Sequence, residues 1–231
     1  MNIIKAGKQN NINFAHPIQP NDKGQSVIFI HGFANDPDDA IKAYSSMAPY
    51  YKTKDYNVFG FIWPSNGYVG ARSYLSDFRR ARKAKHALRS AIAAIKGAMP
   101  EGHKIVIQCH SMGSVVAMET LAIIESGLIH RIIIHGGDAT RKLFKKRRKY
   151  GKHFNKINGV LSLYSEHDRV LSTVAKLFRP VCRVGEKEFP KRVPDEWKSV
   201  SAEKVSGNTI RHNSYKSAQL VLTFSSTWGK K

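Results

Sequence analysis

Acidic residues are scarce in this chain of 231 residues: 17 Asp and Glu stand against 38 Lys and Arg, a formal charge of +21. Such a surface attracts anions, whether nucleic acid, anionic lipid, acidic polymer or an acidic substrate, and says nothing about fold. Cysteine is scarcer still. Cys109 and Cys182 are the only two, too few for a disulfide framework. No run approaches the roughly 18 consecutive apolar residues of a membrane-spanning helix. Met1 to Asn10 lacks the apolar stretch of a signal peptide. The expectation is a protein made in a reducing compartment, cytoplasmic or exported without a classical signal. H-E-x-x-H, C-x-x-C, G-x-G-x-x-G and P-loop motifs are absent, so no metal or cofactor is expected. There is no internal repeat.

Apolar material is not lacking. Hydrophobic residues make up 42% of the chain, enough for one large core, and residues 1–231 are expected to form a single domain. Short β-branched runs predict strands at Ser26–Ile30, Tyr56–Trp63, Lys104–Gln108, Arg131–Ile134 and Val160–Tyr164. Asp36-Pro37-Asp38-Asp39 has the N-cap acid, first-position proline and first-turn acids of a helix start. That helix is expected to stop before Pro49. Ser73 to Met99 shows the three- and four-residue apolar spacing of one long helix, and Ser111 to Ser126 reads as another. Strands alternating with helices predict a mostly parallel central sheet flanked by helices. After Arg183 the chain reads as loop with short elements.

Cys109-His110-Ser111-Met112-Gly113 stands directly between the third of these strands and a helical pattern. A G-x-S-x-G nucleophile elbow requires this strand–turn–helix setting. It lifts the serine hydroxyl above the sheet edge and turns the next N–H, here that of Met112, toward a developing oxyanion. Gly113 supplies the small residue two positions later. Cys109 replaces the usual first glycine. His31-Gly32-Phe33, at the end of an earlier strand, is placed to give a second oxyanion donor, the N–H of Phe33 or Ala34. In the α/β-hydrolase fold the order is Ser, acid, His. Of ten histidines only His212 follows both Ser111 and the best acid, Asp168. Asp168 follows the Val160–Tyr164 strand. Asp138, in Gly136-Gly137-Asp138, follows the Arg131–Ile134 strand and is the runner-up; with Ala139-Thr140 beginning a helix it reads rather as an N-cap or first-turn acid.

The set FIHGF, WPSNG, Tyr74-Leu75-Ser76-Asp77, CHSMG, YSEHDRVLS and Arg183-Val184-Gly185 resembles an uncharacterised bacterial α/β-hydrolase family with an HSMG elbow and an upstream W-P-S-x-G segment. The resemblance spans Val27 to Gly185. It implies Ser111 as nucleophile, Asp168 as acid and a C-terminal histidine as base. The chain departs from it at Cys109, where alanine is commoner, and at Ile134-His135-Gly136-Gly137-Asp138, where the family usually has A-P-D.

Arg141 to Lys149 holds seven basic residues in nine. It reads either as a solvated face or as a cationic lid, with Leu143, Phe144 and Tyr150 giving apolar contact to a lipid interface. The chemistry expected of the whole is cleavage of a carboxylic ester, anionic or lipidic in character, through Ser111, His212 and Asp168, with Met112 and Phe33 as oxyanion donors. Two alternatives stand beside it. One is acyl transfer by the same residues. The other is a catalytically silent scaffold binding nucleic acid or an anionic membrane surface. The sequence leaves substrate and oligomeric state open.

Overall fold

The computed structural model describes residues 2–7, 11–19, 24–52, 55–206, 209 and 211–212. The strands are β1 (Asn2–Ala6), β2 (Ile12–Phe14), β3 (Gln25–Ile30), β4 (Tyr56–Ile62), β5 (Lys104–His110), β6 (Arg131–His135), β7 (Val160–Tyr164) and β8 (Lys198–Ser201). They form one sheet of eight strands in the order β2-β1-β4-β3-β5-β6-β7-β8. Only β1 and β2 pair antiparallel; every other neighbouring pair is parallel. A parallel sheet must be covered on both faces, and the alternation within the strands shows how this is done. Ile28 and Ile30 of β3 face one layer, while Val27 and Phe29 face the other.

On the first face lie α2 (Ala71–Lys83), α3 (Lys85–Ala98) and α4 (Gly113–Ile123). On the second lies α1 (Pro37–Lys52), whose Ala40, Tyr44, Met47, Ala48 and Tyr51 are buried against Val27, Phe29 and Val58. The Asp36 carboxylate accepts the Asp39 N–H at 2.8 Å, an N-cap. Contrary to expectation, α1 runs through Pro49. Within the last turn a proline removes only one helical hydrogen bond, and burial of Ala48 and Tyr51 holds that turn in place. The single helix expected over 73–99 is two, divided at Ala84. Ala84 keeps near-helical angles (φ −60°, ψ −13°), so the apolar face continues across the break.

The chain after Arg183 is more ordered than its composition suggests. It contains β8, parallel to β7, and α6 (Ala202–Ser206). Before it, a π-helical turn at Val170–Ala175 leads into a short α5 (Lys176–Phe178). Among the described residues no helix is long and apolar enough to cross a membrane.

The basic segment settles between its two readings. Arg141–Phe144 is a 3-10 turn in which Phe144 is fully buried, stacked on Phe189 with ring centroids 5.1 Å apart and set edge-on to Tyr150 and Trp197. Lys149 Nζ is 2.6 Å from the carboxylate of Glu119, a buried residue of α4 that also faces Arg82 and Lys85. Phe144 and Tyr150, offered as lipid contacts, are core residues. The segment is a packed, solvated face and lines no part of the cavity described next.

Candidate active site

The loops after β3, β5, β6 and β7 leave the sheet at one edge, because Ile30 is level with Cys109, His110 with His135, and His135 with Leu163. Ser111 lies at the end of β5 with φ +51°. A side chain in that left-handed region costs about 1–2 kcal/mol, so the surroundings must impose it. They do so through both peptide groups. The Ser111 N–H donates to the His135 carbonyl at 3.0 Å. The Ser111 carbonyl accepts the N–H groups of Asp138 and Ser114, each at 3.0 Å, and the Ser114 hydroxyl at 2.7 Å. A Cβ on Gly113 would fall 2.6 Å from the carbonyl oxygens of both Ile30 and His31. The small residue is needed there because α4 starts hard against the end of β3.

Gly32 is required for space rather than for an unusual backbone. Its φ is not positive; the left-handed residue of that loop is Ala34, at φ +55°. Gly32 is small because a Cβ would stand 2.9 Å from the Ser111 Cβ. The loop is locked from below. His31 stacks on Trp63 with an interplanar angle of 6°, the Trp63 indole N–H donates to the His31 carbonyl at 2.9 Å, and the Tyr44 hydroxyl accepts the His31 N–H at 2.8 Å. Trp63 opens the W-P-S-N-G turn. That turn is in turn held by Asp77 of α2, whose carboxylate accepts the Ser65 hydroxyl at 2.9 Å and the Asn66 N–H. Among the described residues no group accepts the backbone N–H of Phe33 or Met112.

His212 is buried, and its Nδ1 is 2.7 Å from the Asp168 Oδ2. Asp168 is itself fully buried, and its other oxygen accepts the Leu171 N–H at 3.1 Å. The carboxylate therefore starts the π-helical turn and faces the imidazole at once. His110 adds a second restraint. Its Nε2–H donates to the His212 carbonyl at 2.9 Å, and the two rings are 4.7 Å apart.

Asp138 is engaged elsewhere. Its carboxylate accepts the Tyr74 hydroxyl at 2.6 Å and pairs with Arg179 at 3.0 Å and with Arg183. Burial, followed by the Asp138 charge, pushes the Tyr74 phenol up, so it stays a donor. Arg183 is fully buried, and its remaining N–H groups donate to the carbonyls of Leu171, Ala175, Arg179 and Val181. The Arg183–Asp138 pair joins the end of β6 to the π-helical segment. Ser65, Asp77 and Arg183 stand in the WPSNG, Tyr74–Asp77 and Arg183–Gly185 stretches, and only their long-range partners reveal a role.

Ser111, His212, Phe33 and Ala34 line one cavity of about 640 Å³, together with Asn35, Asp39, Lys42, Ala43, Val69, Tyr74, His110, Asp138, Val170, Leu171 and Ala175. Its wall is mostly apolar. Among the described residues no group of His, Cys, Asp and Glu side chains is spaced to hold a metal ion.

A parallel sheet covered on both faces, with a strained serine at a strand–helix turn, defines the α/β-hydrolase class of architecture. The chain belongs to the family "Alpha/beta hydrolase of unknown function (DUF900)", whose model matches residues 6–223. Among solved structures, TT1662 from Thermus thermophilus superposes with a TM-score of 0.56 at 14% identity, covering 92% of each chain. That likeness concerns the fold. A putative α/β-superfamily hydrolase from Xanthomonas campestris pv. campestris aligns at TM-score 0.44 and 14% identity, over 87% of this chain and 99% of that one. The metagenomic carboxyl esterase MGS0156 aligns at 0.46 and 10%, over 93% and 78%. Comparison with curated proteins finds no match.

Proposed function

We propose that the protein is a serine hydrolase that cleaves carboxylic esters. The observation that carries this is the strained Ser111, held over a largely apolar cavity that also receives His212, whose ring is backed by Asp168 at 2.7 Å. Ser111 Oγ attacks the ester carbonyl while His212 Nε2 takes its proton. The N–H groups of Met112 and Phe33 hold the oxyanion. The tetrahedral intermediate collapses by breaking the C–O bond, and the leaving alcohol takes the proton from His212. Water, deprotonated by the same imidazole, attacks the acyl-enzyme, and the carboxylic acid departs as Ser111 regains its proton. Asp168 keeps Nδ1 protonated, so Nε2 is the basic nitrogen, and it stabilises the imidazolium. The apolar wall suits an acyl chain.

The test is labelling with a fluorophosphonate probe, followed by mass mapping. Modification at Ser111 is expected, lost in Ser111→Ala and strongly slowed in His212→Ala. A well-folded protein that stays unlabelled, with or without detergent micelles, would overturn the assignment.

A further inference from the structure

Large apolar side chains left in solvent are few, and they cluster. Tyr68 is 75% exposed, Val69 80%, Leu177 77% and Val170 42%. These four of the six exposed large hydrophobics among the described residues belong to two segments on one side of the same cavity. Val69 and Val170 line it directly, and Tyr68 adjoins Val69. Leu177 follows the lining residue Ala175 in α5, which packs on α2 through Phe178, its ring 5.5 Å from that of Tyr74. Isolated exposed apolar residues need no explanation, but a patch at the mouth of a cavity does.

The exposed charges within the two segments are basic, and one of them, Lys176, is paired with the buried Glu186 at 3.0 Å. Arg72, Arg169 and Lys176 are exposed within or next to the two segments. No acidic residue is exposed between Tyr68 and Arg79, or between Arg169 and Phe178. Another part of the lining differs: α1 brings Asp39 and Lys42 to the cavity, and Asp36 and Asp38 lie just before them. The exposed apolar residues at the cavity therefore lie with Arg72 and Arg169, while the acids lie at the start of α1.

The geometry points to docking of the α2–α5 side of the mouth on an anionic lipid surface. Tyr68, Val69, Val170 and Leu177 would enter the acyl boundary, and Arg72 and Arg169 would meet the headgroups. Apolar insertion and attraction to anionic lipid act together at such interfaces. The inference deepens the ester-hydrolase reading, on which its purpose rests: it places the cavity opening at the surface from which a lipid ester would enter. It also separates the docking surface from the basic segment 141–149, whose large apolar groups are committed to the core.

The experiment is flotation of the full chain with vesicles of ether-linked lipids, which cannot be hydrolysed. One set is phosphatidylcholine alone, the other phosphatidylcholine mixed with phosphatidylglycerol. Binding is expected on the mixed vesicles only, and weaker at high salt. The double variant Tyr68→Ser, Leu177→Ser should bind at least about tenfold more weakly, with unchanged turnover of a water-soluble short-chain ester. The variant Lys145→Ser, Arg147→Ser, Arg148→Ser should keep most of the binding. Full binding by the first variant with loss in the second would overturn the proposal in favour of diffuse attraction. Absence of vesicle binding would overturn it too. So would a concentration-dependent dimer abolished by the double variant, since a second copy would then occupy the patch. Vesicle binding without fluorophosphonate labelling would remove the hydrolase reading alone.

Discussion

Asp168 serves two partners with its two oxygens: Oδ2 meets the His212 Nδ1 at 2.7 Å, and Oδ1 accepts the Leu171 N–H at 3.1 Å. An asparagine can still accept the Leu171 N–H, but it cannot stabilise an imidazolium. Asp168→Asn should therefore keep its melting temperature nearly unchanged while kcat on a chromogenic ester drops by about 10⁴-fold. Asp168→Ala should lose the helix-start bond as well, about 1 kcal/mol. An Asp168→Asn enzyme as fast as the wild type would remove Asp168 from the catalytic set.

Asp138 should respond the opposite way. It is buried between Arg179, Arg183 and the Tyr74 hydroxyl, so removing its charge leaves the buried Arg183 guanidinium with only the Glu186 carboxylate, 3.6 Å away, as counter-charge. Asp138→Asn is expected to lower stability by about 3–5 kcal/mol, read as a shift of the urea midpoint. Turnover per folded molecule, counted by active-site titration, should stay within about tenfold of wild type. A folded but inactive Asp138→Asn protein would instead make Asp138 part of the chemistry.

The two aspartates show what the sequence makes legible and what it does not. The order of Ser111, Asp168 and His212, and the strand runs before the first two, are local signals. The five strands read from β-branched runs appear as β3 to β7. The two ends of the sheet were not legible: β2 has three residues and β8 is polar, Lys198-Ser199-Val200-Ser201, and both are strands because a neighbour supplies their hydrogen bonds. Pro49 and Ala84 misled for the same reason, since tertiary burial decides where a helix ends. Arg183 carries no local signal for its place beneath Asp138. Met1 and residues 213–231 lie outside the described residues.

Gly113 has no room for a side chain, since a Cβ would approach two carbonyl oxygens at 2.6 Å. Gly113→Ala should push the start of α4 away from the His31 loop. That would part the Met112 N–H from its proposed partner at Phe33. A loss of about 1–3 kcal/mol of stability is expected, with about 10²-fold in kcat for a displacement near 1 Å. Gly97, in α3, meets nothing within 4 Å, and Gly97→Ala should be neutral or stabilising by up to about 1 kcal/mol. Equal effects of the two changes on kcat would refute the close-approach account.

His135 gives the fold an acid sensitivity separate from the site. The Tyr51 hydroxyl donates to Gln108 Oε1, and the Gln108 amide donates to His135 Nε2 at 3.0 Å. Nε2 must then accept, which requires a neutral ring. Burial pushes its pKa down from 6.5 to about 4. The unfolded chain therefore binds a proton at His135 that the folded one does not, between about pH 6.5 and 4. The sign follows: the full stability is present above pH 6.5 and falls as pH drops through that window, by roughly 3 kcal/mol at most. His130 is lowered to about 4 as well, but is only partly buried and adds less. Urea unfolding at a series of pH values should show this slope in the wild type and a clearly shallower one in His135→Gln. Parallel curves for the two proteins would mean that His135 is not the group being titrated.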